Sequence, residues 1–465
     1  HHGTYAISTV GKINNMDAKR RLLFFAGLIA MFFSLTLFAN FGYLEDASWT
    51  KLWVLVAMIA VASLGLALVF NPEQIWLNVC RYFSGILFVF SGFVKADDPL
   101  GSKYKFIDYF EAWGIDDIFA PAALTFGIIL STIELLVGLA LLFKLFPKWS
   151  SLCALIFMIV FIPITFYLAM QENVSGKELV HDCGCFGDAL VLTNWQTFVK
   201  NLVIVIPVII TFIFSNRFTD LISNKKSIIL LSCLTVVIVG ISFYALRHLP
   251  PIDFRPYKIG VTLKGEKCGD VTISNNDKVF QYADFINLQT GEHKEFDIVN
   301  NYPDYTIWEY NPDVPIREVR EKSEPVQSDT LQTENIYMVE SLMFSDGDRD
   351  ATCDIITDTS YVLMAIHYDL KQSNPKNQSK VNAVYDWAKS KGYVFYGATS
   401  SLDDVIEDYS AKTGAAYPYV SADDILLKTI VRSNPGLVLL KNGKIINKWH
   451  HNDIPSVEEF EQMCN

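Results

Sequence analysis

The stretch RYFSGILFVFSGFVKADDPLGS (Arg81–Ser102) is an apolar and aromatic run with Arg81 near its start and Lys95 near its end. With the residues just before it, the run reaches the roughly 20 residues that a helix needs to cross a bilayer. We therefore read Ile75–Phe93 as a membrane span. Arg81 stands low in it and Lys95 at its far interface. Six more stretches qualify by the same length: Leu22–Gly42, Leu52–Phe70, Ile118–Phe143, Ser151–Met170, Trp195–Phe214 and Ser227–Leu246. Pro163 and Pro207 interrupt two of them, which neighbouring membrane helices tolerate.

Composition agrees. The chain has 465 residues, of which 51% are hydrophobic, a high share for a soluble protein of this size. A net charge of −12 argues against a nucleic-acid binder, which would carry a basic patch. The opening HHGTYAISTVGKINN is expected to be a tag remnant or leader, with native sequence from Met16, so His1 and His2 enter no site. No cleavable signal peptide is expected, because the first apolar run is long enough to span. Phe dominates the spans, and Trp49, Trp53, Trp113, Trp149 and Trp195 near their ends form an interfacial belt.

Basic residues set the orientation. Lys19, Arg20 and Arg21 precede the first span, Lys144 and Lys148 follow the fourth, and Arg217, Lys225 and Lys226 follow the sixth. These alternate loops share one side, expected to be the cytoplasm. Lys103 and Lys105 fall on the other side, against the trend. Seven spans then put the C-terminal half in a periplasm-like compartment.

After Leu246 a Pro-rich exit, RHLPPIDFRPYKIG, leads into polar, acidic sequence. Lys258–Met343 holds short alternating runs between turn signals and reads as a β-rich module. From Asp350, strands and helices alternate in the order β-α-β-α-β-β-α. Ser401 is expected to cap a helix that ends at Gly414, and Asn442-Gly443 to turn a hairpin.

That order, with SNPGLVLLKNGKIINKW near its end, resembles the thioredoxin fold of the periplasmic TlpA-like branch. The resemblance implies a cis-proline at Pro435, beside the position of a catalytic Cys-x-x-Cys. The corresponding stretch here, His367–Val381, contains no cysteine. Dithiol exchange is therefore excluded at that position, and a docking or peptide-binding module is expected.

The membrane part resembles the DoxX/MauE family of four-helix membrane proteins. Arg81, Gly85, Phe88, Ser91, Gly92, Lys95, Glu134 and Gly138 fit its pattern, and CGCFG (Cys183–Gly187) is the MauE-type signature. The layout as a whole resembles a Bacteroidetes-type DoxX-like protein with a C-terminal thioredoxin-like domain. The expected fold is a polytopic α-helical membrane protein with a periplasmic β-rich module and an α/β thioredoxin-like domain. Its parts are 1–21, leader and cytoplasmic N-terminus; 22–74, two additional spans; 75–216, the four-helix bundle; 217–249, the seventh span and exit; 250–349, the β-rich module; and 350–465, the thioredoxin-like domain.

Cys183 and Cys185 fall on the expected oxidising side, where disulfides persist. Gly184 between them gives the backbone the freedom that a tight bridge needs. The MauE resemblance implies thiol redox in the maturation of a partner protein, with Cys183 and Cys185 as the exchanging pair. His181 would favour the thiolate, and Asp182 and Asp188 would oppose it. A fixed loop staple and a metal site with His181 remain open; for the latter, zinc usually wants wider cysteine spacing. Cys80, Cys153 and Cys233 read as buried small hydrophobes. Among Cys268, Cys353 and Cys464, one pair is expected without fixed connectivity.

Arg81, Lys95 and Glu134 are costly in lipid unless paired or at an interface. Glu134 is expected level with Ser84–Phe88, within a long reach of Arg81. That pair reads either as a structural ion pair or, from the DoxX resemblance, as a quinone site. Lys95 is expected to snorkel outward. Partners are membrane lipids and a cell-envelope protein, and the location is the bacterial inner membrane. Two functions follow: a thiol-redox or maturation factor, or a non-catalytic accessory subunit that docks partners through its soluble half. A transporter or lipid-binding role rests on Glu134 alone.

Overall fold

The computed structural model describes residues 48–70, 74–175, 180, 184–265, 277–288, 290, 293–297, 307–311, 314, 317–322, 336–339, 343–347 and 349–464. Six helices among them are long and apolar enough to cross a membrane. The expected span Leu22–Gly42 lies outside the described residues, as do His1, His2 and Met16.

The membrane part runs α1 (Ser48–Phe70), α2 (Ile75–Asp97), α3 (Pro99–Ala112), α4 (Asp116–Phe119), α5 (Ala123–Leu142), α6 (Pro147–Ser175), α7 (Asn194–Ile213) and α8 (Asn224–Arg247). Helix α2 is its centre, with most of its side chains buried. Glycines let α2 and α5 approach closely. A Cβ on Gly92 would stand 2.5 Å from the Leu135 backbone nitrogen, and one on Gly138 would stand 2.5 Å from that of Val89. Membrane helices gain their association from such close van der Waals packing, since lipid is as apolar as leucine. Helices α3 and α4 are short and sit between two spans. There Phe106, Phe110, Phe119 and Phe126 pack ring against ring.

The C-terminal part is built on one nine-stranded sheet in the order β6-β1-β13-β12-β9-β10-β11-β7-β8, the last being Arg349–Asp350. Its middle strands are β9 (Tyr361–His367), β10 (Val394–Thr399), β11 (Tyr419–Ser421), β12 (Gly436–Lys441) and β13 (Lys444–His450). Strands β9, β10 and β11 are parallel, and β12 runs antiparallel to both β9 and β13. Period-two alternation sends the side chains to two cores. Val362, Met364 and Ile366 face one cluster, with Leu426, Leu427 and Ile430 of α12 (Asp424–Ile430). Leu363 and Ala365 face the other, with α10 (Gln378–Lys391), α11 (Asp403–Thr413) and α13 (Val457–Cys464). The hairpin turns through Asn442 and Gly443, both at positive φ.

Three expectations need correction. The boundary at 349/350 cuts through one sheet, because β1 (Thr262–Gly265) pairs with β13, and β7 (Ser345–Asp346) with β11. Among the described residues, β2 (Asp277–Asn287), β3 (His293–Asp297), β4 (Trp308–Tyr310) and β5 (Arg317–Lys322) form a separate sheet, inserted between β1 and β6 (Ile336–Val339). The order expected from Asp350 lacked α9 (Thr352–Thr357), β11 and α12, whose runs are too short for a periodicity reading. Ser401 does not cap α11. Leu402 holds that position, and the Ser401 hydroxyl instead accepts from the Leu370 amide at 3.0 Å.

Candidate functional site

The CGCFG loop closes over one end of the bundle. Its shape comes from glycine: Gly184 has φ +64° and Gly187 φ +51°. A side chain at Gly184 would also press on the Lys105 stem, 2.9 Å from an added Cβ. Phe186 anchors the loop between Phe90 and the buried Lys200, whose ammonium lies 4.3 Å from the ring centre. The next helix, α7, starts on a capping box in which Thr193 and Gln196 satisfy each other's backbone amides. Cys185 is half-buried. Cys183 and His181 lie outside the described residues, so the expected pair and the three-residue metal set have one described member, Cys185. Among the described residues, no three His, Cys, Asp or Glu side chains are grouped to hold a metal.

Below the loop is a buried polar knot. The Lys95 ammonium donates to the Cys185 carbonyl at 2.6 Å, to Glu134 Oε2 at 2.8 Å and to Ser91 Oγ at 2.8 Å. The Ser91 hydroxyl donates to the same Cys185 carbonyl at 2.6 Å. The side chains of Lys95 and Glu134 are 9% and 11% exposed. This corrects two expectations. Lys95 does not snorkel, because a carboxylate, a hydroxyl and a carbonyl receive its three protons inside the protein. Glu134 does not reach Arg81, because the contact of Gly92 with Leu135 sets Glu134 level with the last turns of α2.

Arg81 serves the opposite end. Its guanidinium donates to the Leu141 and Leu142 carbonyls at 2.5 and 2.8 Å, and to Asn78 Oδ1. Those carbonyls close the C-terminus of α5, where a cation is favoured. Arg81 and Glu134 are thus engaged by different protein groups at the two ends of one helix pair. They do not form a joint cradle for a quinone headgroup.

Above the loop sits the C-terminal sheet. Arg432, 5% exposed at its side chain, donates from Nε to Asp98 Oδ2 at 2.8 Å and from Nη2 to Asp188 Oδ2 at 2.6 Å. Its third nitrogen goes to the Lys428 carbonyl at 2.6 Å. Burial would lower its pKa, but the two carboxylates raise it above the usual arginine value. Burial would likewise raise Asp98, yet Arg432 and Arg255 hold it below the usual carboxylate range. Asp98 also caps α3, accepting from the Gly101 amide at 2.9 Å. Beside it, the Tyr104 and Tyr368 hydroxyls meet at 3.2 Å. The Asn434–Pro435 peptide, two residues beyond Arg432, is cis. Asn434 bridges to the cysteine-free stretch, donating to the Asp369 carbonyl at 2.7 Å.

The exit from α8 is stitched to both parts. The Ile252 amide donates to Asp97 Oδ1, while Asp253 binds Arg255 and Lys448. Burial would raise Asp253, but those two cations hold it well below the usual range. Burial takes Lys448 down to about 8. Arg432, Asp98, Asp188 and the tyrosine pair carried no sequence signal, since their partners are hundreds of positions away. Lys200 did: a lysine inside Trp195–Phe214 meets the same intramembrane-charge rule that singled out Glu134.

Residues 73–214 match the family model described as Methylamine utilisation protein MauE. The match covers the bundle from α2 to α7 together with the CGCFG loop. No curated protein matches the chain. No solved structure matches it.

Proposed function

We propose that this membrane protein supports thiol–disulfide exchange during maturation of a cell-envelope protein, with Cys183 and Cys185 as the exchanging pair. The observation that carries this reading is the knot under the loop. A buried ion pair is a poor source of stability and a better source of fixed geometry. Here it grips the backbone carbonyl of Cys185 itself. The MauE match across the same helices supports the assignment of the loop as the working end.

In this reading the amino terminus is cytoplasmic and the loop faces the oxidising side. Cys353 is disulfide-bonded, with its partner outside the described residues, which fits such a compartment. The chemistry is exchange between dithiols. Once a disulfide-bearing partner protein has oxidised the pair, a client thiolate attacks the resulting Cys183–Cys185 bridge, and a mixed disulfide forms as one cysteine leaves as thiolate. The client's second thiolate then displaces the other. The client gains a disulfide, and the pair keeps two electrons and two protons. A disulfide-bearing partner protein restores the bridge. The C-terminal domain is thioredoxin-like in its strand order and cis-proline, and without cysteines in the matching stretch it serves to position rather than to exchange.

The test is trapping. Cys185→Ser should accumulate a mixed disulfide through Cys183, and the adduct should vanish in the double serine variant. Full complementation by the double variant, with no adduct in the single one, would sink the redox reading. It would leave the accessory-subunit reading, in which the domain docks partners for a larger complex.

A further inference from the structure

Tyr368, just after β9, and Arg432, shortly before β12, lie on one face of the C-terminal domain. That face is already occupied by the chain's own bundle. Arg432 enters between Asp98 and Asp188, and Asp188 lies three residues past Cys185 in the same loop. Tyr368, directly after β9, meets Tyr104 of α3. The Tyr104 ring also takes the cations of Lys428 and Arg432 on its face, at 5.0 and 5.4 Å. The loop is therefore held from beneath by Lys95 and from above by Arg432.

The two grips differ in what opening them requires. The knot beneath is inside the bundle, with Lys95 and Glu134 only 9% and 11% exposed at their side chains. The contact above is at the bundle's end, and its carboxylates are 17% and 27% exposed. A cavity of about 10 Å³ lies beside it, lined by Asp98, Asp188, Ile252 and Arg255 among others. Arg255 Nη1 and Nη2, at this cavity, and Asp97 Oδ2, on the residue before Asp98, are buried without a hydrogen-bond partner among the described residues. Unmet hydrogen-bonding capacity is costly when buried and is regained on hydration. Opening this interface thus recovers part of what it loses.

We propose that Arg432 is a latch. The C-terminal domain closes over the loop from Gly184 to Asp188 as an autoinhibitory cap, and release of Arg432 from Asp98 and Asp188 exposes Cys185 to a client. The latch rests on the exchange reading for its purpose, but it is tested through conformation and not through turnover. The experiment is hydrogen–deuterium exchange on the full chain in lipid nanodiscs, with peptide-resolved maleimide labelling of Cys185 under mild reduction. Arg432→Met should raise exchange at least fivefold in residues 184–190, 99–104 and 368–372, and speed Cys185 labelling similarly. Strands β9 and β12 and helix α2 should keep their protection. Asp188→Asn, which keeps the Asp98 contact, should do the same to a smaller degree. Unchanged exchange and labelling in both variants would overturn the latch. So would loss of protection throughout β9 and β12 in both, which would make Arg432 a residue of the fold. An opened loop that forms no mixed disulfide would leave the latch standing and remove the exchange reading.

Discussion

Lys95 and Arg432 hold the same loop from opposite sides, and they are built on different balances. Lys95 has one carboxylate and is sealed among helices. Arg432 has two carboxylates, each partly in reach of water. The first arrangement is neutral and has no alternative solvent for its parts. The second shares Asp98 with Arg255 and stands at the bundle's end, where water reaches its carboxylates. The comparison teaches that burial of the partner left behind, and not the number of bonds, sets what a substitution costs.

The sharpest way to break that comparison is Lys95→Met. It leaves Glu134 buried beside a carbonyl, and removing one member of a buried pair costs about 3–5 kcal/mol. Thermal unfolding of the full chain in detergent should show a large drop. Lys95→Met with Glu134→Leu should recover most of it, since a hydrophobic replacement of both is often near neutral. A single variant as stable as the parent would mean that the knot is not sealed.

The helix crossing that sets the knot's level is tested by Gly138→Ala. The added Cβ would meet the Val89 backbone, which can move only with its helix, so overpacking should cost about 1–3 kcal/mol. The same change at Gly240, where an added Cβ would have no described residue within 4 Å, should be nearly silent. Equal effects at the two glycines would detach the register of α2 and α5 from the Glu134–Lys95 pairing.

The membrane part was legible in the sequence because a bilayer imposes length and apolarity on each span separately. The limits of α2, α5 and α7 follow from runs read one at a time. What such runs omit is register. The level of Glu134 depends on how far Gly92 and Gly138 let two helices slide, and the choice between Arg81 and Lys95 as its partner follows from that. The strands Tyr361–His367 and Gly436–Lys441 were legible for a similar local reason, an apolar run between turn signals. Arg432 was not. A lone arginine in RSNPG looks solvated until Asp98 and Asp188 arrive from another part of the fold. Lys200 was readable by a rule already in use on its neighbours.

The smallest expected effect tests whether the C-terminal domain, like the bundle, has a polar centre that depends on staying dry. His367 is fully buried at the end of β9, with Nδ1 on Ser373 and Nε2 on Tyr417, both at 2.9 Å. Tyr409 packs against its ring as well. No carboxylate faces it in these contacts, and burial takes its pKa down to about 3. The unfolded chain, titrating near 6.5, therefore binds the proton that the folded domain refuses. The stabilisation is fully present above about pH 6.5 and is lost progressively as pH falls towards 3. Between pH 7 and 5.5 the loss should be about 1 kcal/mol from this group. His450, also lowered by burial, adds in the same direction. His367→Gln should lower stability at pH 7 yet flatten the slope between pH 7 and 5.5, read from thermal unfolding of the full chain. An unaltered slope would place the acid sensitivity elsewhere, and the Asp98–Arg432 contact would not explain it. Asp98 is depressed, so its contribution is present above about pH 4 and fades only below that. The two windows overlap only below about pH 4, and the pH at which stability first falls separates a wet interface from a dry core.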